Sequence, residues 1–456
     1  MVIPKDMPKI LLFTALIFNA FGFAQFGTVQ IIDANADSGN AKKITTADID
    51  NDGFQDIIVA RGFGASSISY YRNLQNGNFS EKIITDVATD NPNGLAVADF
   101  NNDGWKDLVT LSQTMDEIVW IPNHNGNFEN RIVIDTDVTF SHAVATADFD
   151  HNGSPDFVAI GQHFINFYRN NGNGIFSKEP ILTTETSSNV LECLYLEVAD
   201  MNNDGHPDLL TAETLGGVIY FNNGLGNFTP TVFTTNRFIS SLIHAFDANN
   251  DGFQDALVHD TTGKVNLYLN TGNGNMVYQT TAFLAQGMQL RSLQTADMNG
   301  DGFSDIFTAL NFKAVAYLNN RDNTFGSEAT VHQDPDIFIR EVAVADLDND
   351  NIPEYIWAGV NHTVAYQEKS LLDRNENLVS GFTVYPNPAA EKITIEVQNK
   401  TFTATIFNLS GQKIKQETAD QKFDMDVSGL SKGLYFIEIK TQNVPVETQN
   451  LKFIKN

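Results

Sequence analysis

The 456-residue sequence predicts an all-β protein, a seven-bladed β-propeller followed by a small C-terminal β-sandwich. Three observations carry that reading. A nine-residue acidic signature recurs seven times, with starts 51, 49, 52, 47, 50 and 49 residues apart. Each period holds four short apolar runs parted by Asn/Gly turns, the pattern of a propeller blade. Beyond residue 381 the repeat has stopped and the charge balance changes.

The first element is not part of the fold. Lys5 and Lys9 flank the start of an apolar run, Ile10 to Phe23, and the small residues Gly22 and Ala24 precede Gln25. Residues 1–24 read as a secretory signal peptide cleaved after Ala24. The run is too short to span a bilayer, and no later stretch reaches the ~18 apolar residues of a transmembrane helix. The mature chain is expected to be exported, soluble and monomeric. With 28 Lys+Arg against 56 Asp+Glu the net charge is −28, which argues against nucleic acid and anionic lipid as partners. An apolar fraction of 42% is enough for large cores, so this is not a disordered acidic chain. The single Cys193, in the run Val190-Leu191-Glu192-Cys193-Leu194-Tyr195, excludes a disulfide scaffold and reads as a buried strand residue.

Residues 25–368 form the expected propeller. Asp48-Ile49-Asp50-Asn51-Asp52-Gly53-Phe54-Gln55-Asp56 opens the series. It returns at Asp99 to Asp107, Asp148 to Asp156, Asp200 to Asp208, Asp247 to Asp255, Asp297 to Asp305 and Asp346 to Glu354. Short apolar strands flank each copy, as Leu95-Ala96-Val97-Ala98 and Leu108-Val109-Thr110-Leu111 flank the second. A second signature follows each loop, as in Tyr71-Arg72-Asn73 with Asn76-Gly77-Asn78-Phe79, or Ile121-Pro122-Asn123 with Asn125-Gly126-Asn127-Phe128. An Asn/Gly cluster between β-rich runs is a hairpin turn. The seventh unit reaches Thr363-Val364-Ala365-Tyr366 and lacks the hairpin and fourth strand. The mature N-terminus, however, opens with the strand-like run Phe26 to Ile32. That run is expected to complete the last blade, which closes the ring and removes exposed sheet edges.

The acidic signature is D-x-[DN]-x-[DN]-G-x-x-[DE]. Side-chain oxygens at positions 1, 3, 5 and 9 converge as the loop wraps, and Gly at position 6 permits a turn with positive φ. The candidate ligands are Asp48, Asp50, Asp52 and Asp56 in loop one; Asp99, Asn101, Asp103 and Asp107 in loop two; and Asp148, Asp150, Asn152 and Asp156 in loop three. Loop four offers Asp200, Asn202, Asp204 and Asp208, loop five Asp247, Asn249, Asp251 and Asp255, and loop six Asp297, Asn299, Asp301 and Asp305. Loop seven offers Asp346, Asp348, Asp350 and Glu354. Hard oxygen donors on flexible loops suit Ca²⁺ better than Mg²⁺. The first half mimics an EF-hand, but position 12 is Val59, Thr110, Ala159, Thr211, Val258, Thr308 or Trp357, never Glu. One Asp-Asn-Asp-Gly run is explained by turn chemistry alone. Seven runs that each keep an acid at position 9 favour a cation. Loop seven departs, with Asn351 for Gly and Glu354 for Asp, and is expected to be the weakest site. The loops hold 23 of the 56 carboxylates, so seven Ca²⁺ would halve the net charge of −28. The expected role of the metal is structural.

These repeats resemble the FG-GAP/VCBS repeats of integrin-α-like β-propellers, over about residues 26–368. The resemblance implies structural calcium at the Asp loops.

Residues 369–381 are polar and break the repeat, as a linker does. Residues 382–456 carry nine Lys against eight Asp+Glu, with apolar alternation at Phe382 to Tyr385, Ile393 to Val397, Ala404 to Phe407 and Tyr435 to Ile439. Turns fall at Pro386-Asn387-Pro388, Ser410-Gly411-Gln412 and Ser431-Lys432-Gly433. Short strands between turns predict a small β-sandwich. The runs Val384 to Ala389, Phe407 to Gly411, Leu430 to Tyr435 and Lys452 to Lys455 are similar to the type A sorting domain of the type IX secretion system. That resemblance implies delivery to the cell surface or medium by the type IX secretion machinery, acting on residues 382–456.

The sequence holds no His-Glu-x-x-His, Gly-x-Ser-x-Gly, P-loop or Cys-x-x-Cys motif. Propeller topology puts the Asp loops and Asn-Gly turns on one rim and the remaining connections on the other, around an interior expected to be tightly packed. Loops on a rigid scaffold carry function. On the second rim Arg61, Arg237, Arg291, Lys313 and Arg340 are candidate contacts for an anionic or carbohydrate ligand, although ordinary surface charge explains any one of them. The chain thus reads as a calcium-stabilised surface or secreted module for binding or adhesion to polysaccharide or protein. The alternatives are a polysaccharide-processing enzyme of lyase or dehydratase type and a structural surface-layer component.

Overall fold

The computed structural model describes residues 26–34, 39–62, 66–75, 77–86, 89–183, 193–214, 216–235, 242–285, 290–350, 352–360, 363–369, 382–385, 391–408, 412–441 and 448–455. The expected signal peptide, linker residues 370–381 and the turn at Pro386-Asn387-Pro388 lie outside them. Phe26–Lys369 is one compact unit, and the strands from Phe382 onward belong to another.

Among the described residues, Phe26–Lys369 holds seven four-stranded antiparallel sheets. Sheet one runs Asn40–Ala47, Asp56–Gly62, Ser67–Tyr71 and Ile83–Asp86, and each Asp loop joins a first strand to a second. The second strand of every sheet is buried at every residue. Neighbouring sheets cover both its faces, which is why it reads as an unbroken apolar run rather than an alternation. The fourth strand faces solvent, as in Phe228–Thr234, where most residues are exposed.

The first strands touch in succession around an axis, and Ile339–Ala345 of sheet seven packs on Asn40–Ala47 of sheet one. Phe26–Asp33 pairs antiparallel with Val364–Lys369, so the start of the chain completes the seventh sheet as the sequence predicts. Side chains reinforce the closure. Phe79 meets Tyr366 edge-on with ring centroids 5.8 Å apart. Asn73 Nδ2 donates to the Leu347 carbonyl at 2.7 Å.

This last bond belongs to a series. Asn123, Asn170, Asn222, Asn270 and Asn319 donate from Nδ2 to the carbonyls of Ile49, Phe100, Phe149, Met201 and Ala248, at 2.7–2.9 Å. Each acceptor is position 2 of the preceding Asp loop. The phenylalanines of the same signature add apolar contact with the preceding sheet: Phe128 against Tyr70, Phe176 against Phe100 and Trp120, Phe228 against Phe149 and Phe167. The second signature is therefore more than a turn; it ties sheet to sheet. In sheet seven Lys369, two residues after Gln367, stands at the sequence position of the asparagine.

The C-terminal unit is one five-stranded antiparallel sheet of Phe382–Tyr385, Lys392–Phe407, Lys413–Asp426, Gly433–Thr441 and Thr448–Lys455. The two strands expected at 393–397 and 404–407 are a single 16-residue strand, with a register shift between Glu396 and Thr401. Lys413–Asp426 escaped the sequence reading because most of its residues are polar and face solvent. Ile393, Ile395, Ala404, Ile406, Met425, Ile437 and Ile439 form one core, so both halves of the long strand pack on the same side chains.

Candidate functional site

Each Asp loop is built by alternation. Position 2 is buried in all seven (Ile49, Phe100, Phe149, Met201, Ala248, Met298, Leu347), which leaves the side chains at positions 1 and 3 nearer solvent. Position 4 then turns left-handed, with φ of 56–61° at Asn51, Asn102, His151, Asn203, Asn250 and Asn349. Position 6 turns again, at φ 86–92° in loops one to six, where only glycine is unstrained. Asn351 of loop seven lies outside the described residues. The double turn aims backbone amides at the acids. Asp48 accepts from the Asp52 and Gly53 N–H groups at 3.1 and 2.9 Å, and Asp52 accepts from the Phe54 N–H at 2.9 Å. The bonds recur at Asp99 and Asp103, Asp200 and Asp204, and Asp247 and Asp251.

Position 9 has a different setting. Asp56, Asp107, Asp156, Asp208, Asp255 and Asp305 are fully buried. Their Oδ2 atoms accept the position-2 N–H at 2.9–3.1 Å. Their Oδ1 atoms accept the N–H of the tying asparagine at 2.7–2.8 Å. Glu354 makes the first of these bonds, to Leu347 N–H at 2.6 Å. One carboxylate thus locks the loop to the third strand. The spacing of the motif alone marks this acid as a ligand and does not reveal the lock.

The loops also brace one another. Asn349 donates to Gly53 O at 3.0 Å, Asn51 to Gly104 O at 2.9 Å, Asn102 to Ser154 Oγ at 2.9 Å and Asn250 to Gly302 O at 2.6 Å. His151 Nε2 lies 2.5 Å from His206 Nδ1 in the same belt.

The residues fit a hard divalent cation. Carboxylate oxygens of Asp48, Asp50 and Asp56 lie within 4.8 Å of one another, as do those of Asp148, Asp150 and Asp156, and of Asp346, Asp348 and Glu354. Asp50 Oδ1 is buried with no hydrogen-bond partner, an orphan that a cation would satisfy. Three loops carry an internal counter-charge that the sequence did not reveal. Arg72 Nε is 3.7 Å from Asp50, Arg169 pairs with Asp150, and Arg321 Nη2 is 3.0 Å from Asp301.

Burial raises the position-9 acids far above the usual carboxylate range. Asp56, Asp107, Asp208 and Asp255 are pushed up to about 6, Asp156 and Asp305 to about 7, and Glu354 to about 8. The folded, metal-free chain then binds more protons than the unfolded chain between pH 4 and 8, so its stability falls as pH rises through that window. Urea midpoints of calcium-stripped protein are expected to decline from pH 5 to 8, and saturating Ca²⁺ to remove the decline. A midpoint that rises with pH in the stripped protein would contradict this.

The candidate ligand cations fare differently. Arg61 is fully buried and donates to Gly39 O at 3.3 Å and Gly359 O at 3.4 Å, tying sheet one to sheet seven. It is a structural residue, not the exposed loop cation expected, because the second strand extends past it to Gly62. Lys313 opens a third strand and pairs with Glu328 at 3.0 Å. Arg291 and Arg340 lie in the first strands of sheets six and seven rather than on loops. Arg237 lies outside the described residues.

The expected tight interior is also corrected. Where the first strands converge, on the side away from the Asp loops, a cavity of about 300 Å³ opens. Three residues before each loop's first Asp, the repeat carries Ala96, Ala145 and Ala343 in sheets two, three and seven. Sheets one, four, five and six carry Thr45, Glu197, His244 and Gln294 instead. His244 is 8% exposed, and its Nε2 lies 3.1 Å from Thr295 Oγ1. Its Nδ1 has no hydrogen bond and faces Glu197 Oε1 at 3.5 Å. The signal for this group was present in the sequence, as a break in the alanine at one repeat position.

Five FG-GAP-like repeats are matched, at residues 48–110, 99–159, 148–211, 200–258 and 247–308, together more than half of the chain. A secretion system C-terminal sorting domain is matched at residues 383–456. Among solved structures, BBS1N in complex with ARL6DN is similar at a TM-score of 0.52 and 12% identity, over 76% of this chain and 98% of that one. A lectin of Agrocybe aegerita that recognises non-reducing terminal N-acetylglucosamine is similar at 0.51 and 18%, over 68% and 91%. At these identities the likeness is one of fold. No curated protein sequence matches the chain.

Proposed function

Because the chain belongs to the FG-GAP-like repeat proteins and ends in a type IX sorting domain, we propose that it is an exported, calcium-stabilised propeller that binds a surface or extracellular ligand. The sorting domain implies export to the cell surface or extracellular space. Residues 1–24 would take the chain across the inner membrane, and residues 382–456 would engage the type IX machinery. The Asp loops would hold Ca²⁺ through positions 1, 3, 5 and 9, where the cation supplies positive charge to clustered carboxylates.

The observation that carries the binding reading is a closed ring, tied at successive sheet boundaries, on the same chain as a sorting tail. Such a scaffold holds a recognition surface in fixed geometry without ordering cost on binding. The lectin of like fold recognises a terminal sugar, which supports carbohydrate as the ligand class. Binding of the mature, calcium-loaded chain to a glycan array tests this; binding to neither glycan nor surface protein would reject it. The enzyme reading is favoured by one observation, the Glu197–His244–Thr295 contact, of which Glu197 lines the axial cavity. Release of new reducing or unsaturated ends from a bound polysaccharide would select it.

Removal of residues 382–456 is expected to leave a folded propeller that accumulates in the periplasm. Cell fractionation checks the outcome, and surface delivery of the truncated chain would contradict the role of the tail.

A further inference from the structure

We propose that His151 and His206 form a two-imidazole site for a divalent transition-metal ion of the zinc class, which staples loop three to loop four. The site differs in chemistry from the oxygen loops and is independent of what the propeller binds.

Two departures from the repeat create it. Position 4 of the acidic signature is Asn in loops one, two, four, five and seven, Gly300 in loop six, and His151 in loop three alone. Position 7 is apolar or Ser154 in the other loops and His206 in loop four alone. These two residues, 55 apart in the chain, meet. His151 Nε2 lies 2.5 Å from His206 Nδ1 and the ring centroids are 4.7 Å apart, so the rings approach edge to edge with nitrogen facing nitrogen. At other boundaries the position-4 asparagine braces the next loop by donating to its position-6 carbonyl, as Asn51 does to Gly104, Asn250 to Gly302 and Asn349 to Gly53. Loop four has the equivalent residue, Gly205. Two imidazoles gain nothing over that brace, since one neutral hydrogen bond replaces another of similar strength. What they add is a pair of facing nitrogen donors, which suit zinc, copper and nickel, whereas calcium takes oxygen.

The fold places both rings. His151 keeps the left-handed backbone of position 4, at φ 56°. The His206 ring lies against Gly224, where a Cβ would come within 2.5–2.8 Å of three ring atoms. His206 is half-buried and His151 exposed, so an ion between them keeps water on its remaining positions. Zn–N bonds of about 2.0–2.1 Å at a tetrahedral angle set the nitrogens about 3.3 Å apart, so the rings must part by about 0.8 Å, a small rotation at the surface. No proton need be lost. His151 takes the Nδ1–H tautomer and His206 the Nε2–H tautomer, which leaves a lone pair on each facing nitrogen. Acids of both loops stand close in the chain, Asp150 beside His151 and Asp204 two residues before His206. Arg169, the cation that pairs with Asp150, is also held by Glu179 at 2.8 Å.

The test is calorimetric titration of Zn²⁺ into the full chain in excess Ca²⁺, which keeps the oxygen loops filled. His151→Asn and His206→Phe each install a residue that the repeat itself uses at that position, so both variants should melt with the parent in Ca²⁺ alone. Each should weaken zinc binding by about tenfold or more. Saturating zinc should raise the parent's melting temperature by about 2–5 °C and leave both variants unmoved. His124→Ala, which removes an exposed histidine elsewhere, should change neither readout. Should either variant melt lower in Ca²⁺ alone, the parent loaded with Cu²⁺ decides, because its electron paramagnetic resonance spectrum should show two nitrogen ligands. A spectrum without them, zinc affinity weaker than ~1 mM, or zinc binding indifferent to both substitutions overturns the assignment.

Discussion

Removing calcium is expected to lower the melting temperature of the propeller by roughly 10–20 °C. A site held at tenfold its Kd adds about 1.4 kcal/mol to the folded state, so seven sites add up to about 10 kcal/mol, comparable to the stability of a whole domain. For a unit of this size each kcal/mol corresponds to roughly 1–2 °C. The carboxylates explain the sign. Asp48, Asp50 and Asp56 stand within 4.8 Å of one another, and burial already raises Asp50 and Asp56 against their negative charge. Without a cation, like charges held together oppose the compact state. Differential scanning calorimetry of stripped and reloaded protein checks the shift. Ca²⁺ should restore it more fully than Mg²⁺, which accepts a loose oxygen cage poorly. An unchanged melting temperature would mean that the loops are turns and nothing more.

Substitution of Asp208 by alanine is expected to cost about 3–5 kcal/mol in chelator, and about 1–2 kcal/mol more in calcium, where a ligand is lost as well. Asp208 is fully buried, and its two oxygens accept the Met201 and Asn222 N–H groups at 2.9 and 2.7 Å. Alanine leaves both donors buried and unpaired, at about 1–3 kcal/mol each. Asp204, four residues earlier in the same loop, is exposed. Asp204→Ala should cost about 1–2 kcal/mol in calcium and little in chelator, because its main loss is the metal. Urea unfolding of both variants in both conditions separates locking from coordination. Equal losses at the two positions would refute the distinction.

The sequence determined much of this protein by itself. The sevenfold loop, the Asn/Gly hairpins and the strand-like run at Phe26 fixed the strand order, and Phe26–Asp33 does complete the seventh sheet. These are local or periodic signals, carried by residues whose backbone demands depend on nothing distant. The C-terminal unit was half legible. Ile393 and Ile406 announce apolar strands, but a strand as solvated as Lys413–Asp426 has no hydrophobic period to read.

What the tertiary structure decided concerns residues that meet across sheets. Asn73 and Leu347 are 274 residues apart, and nothing near either names its partner. Arg61 looks like a loop cation until the ring brings Gly359 to its guanidinium. Arg169 meets Asp150 only because a third strand returns past its own loop. Glu197 and His244 occupy one repeat position on separate strands, and become a pair only where the first strands converge on one axis. A repeat sequence states what each unit needs in order to fold. Where the chain departs from the repeat, only closure of the ring shows which departures face each other, because the distances between them are set by the curvature of the whole ring.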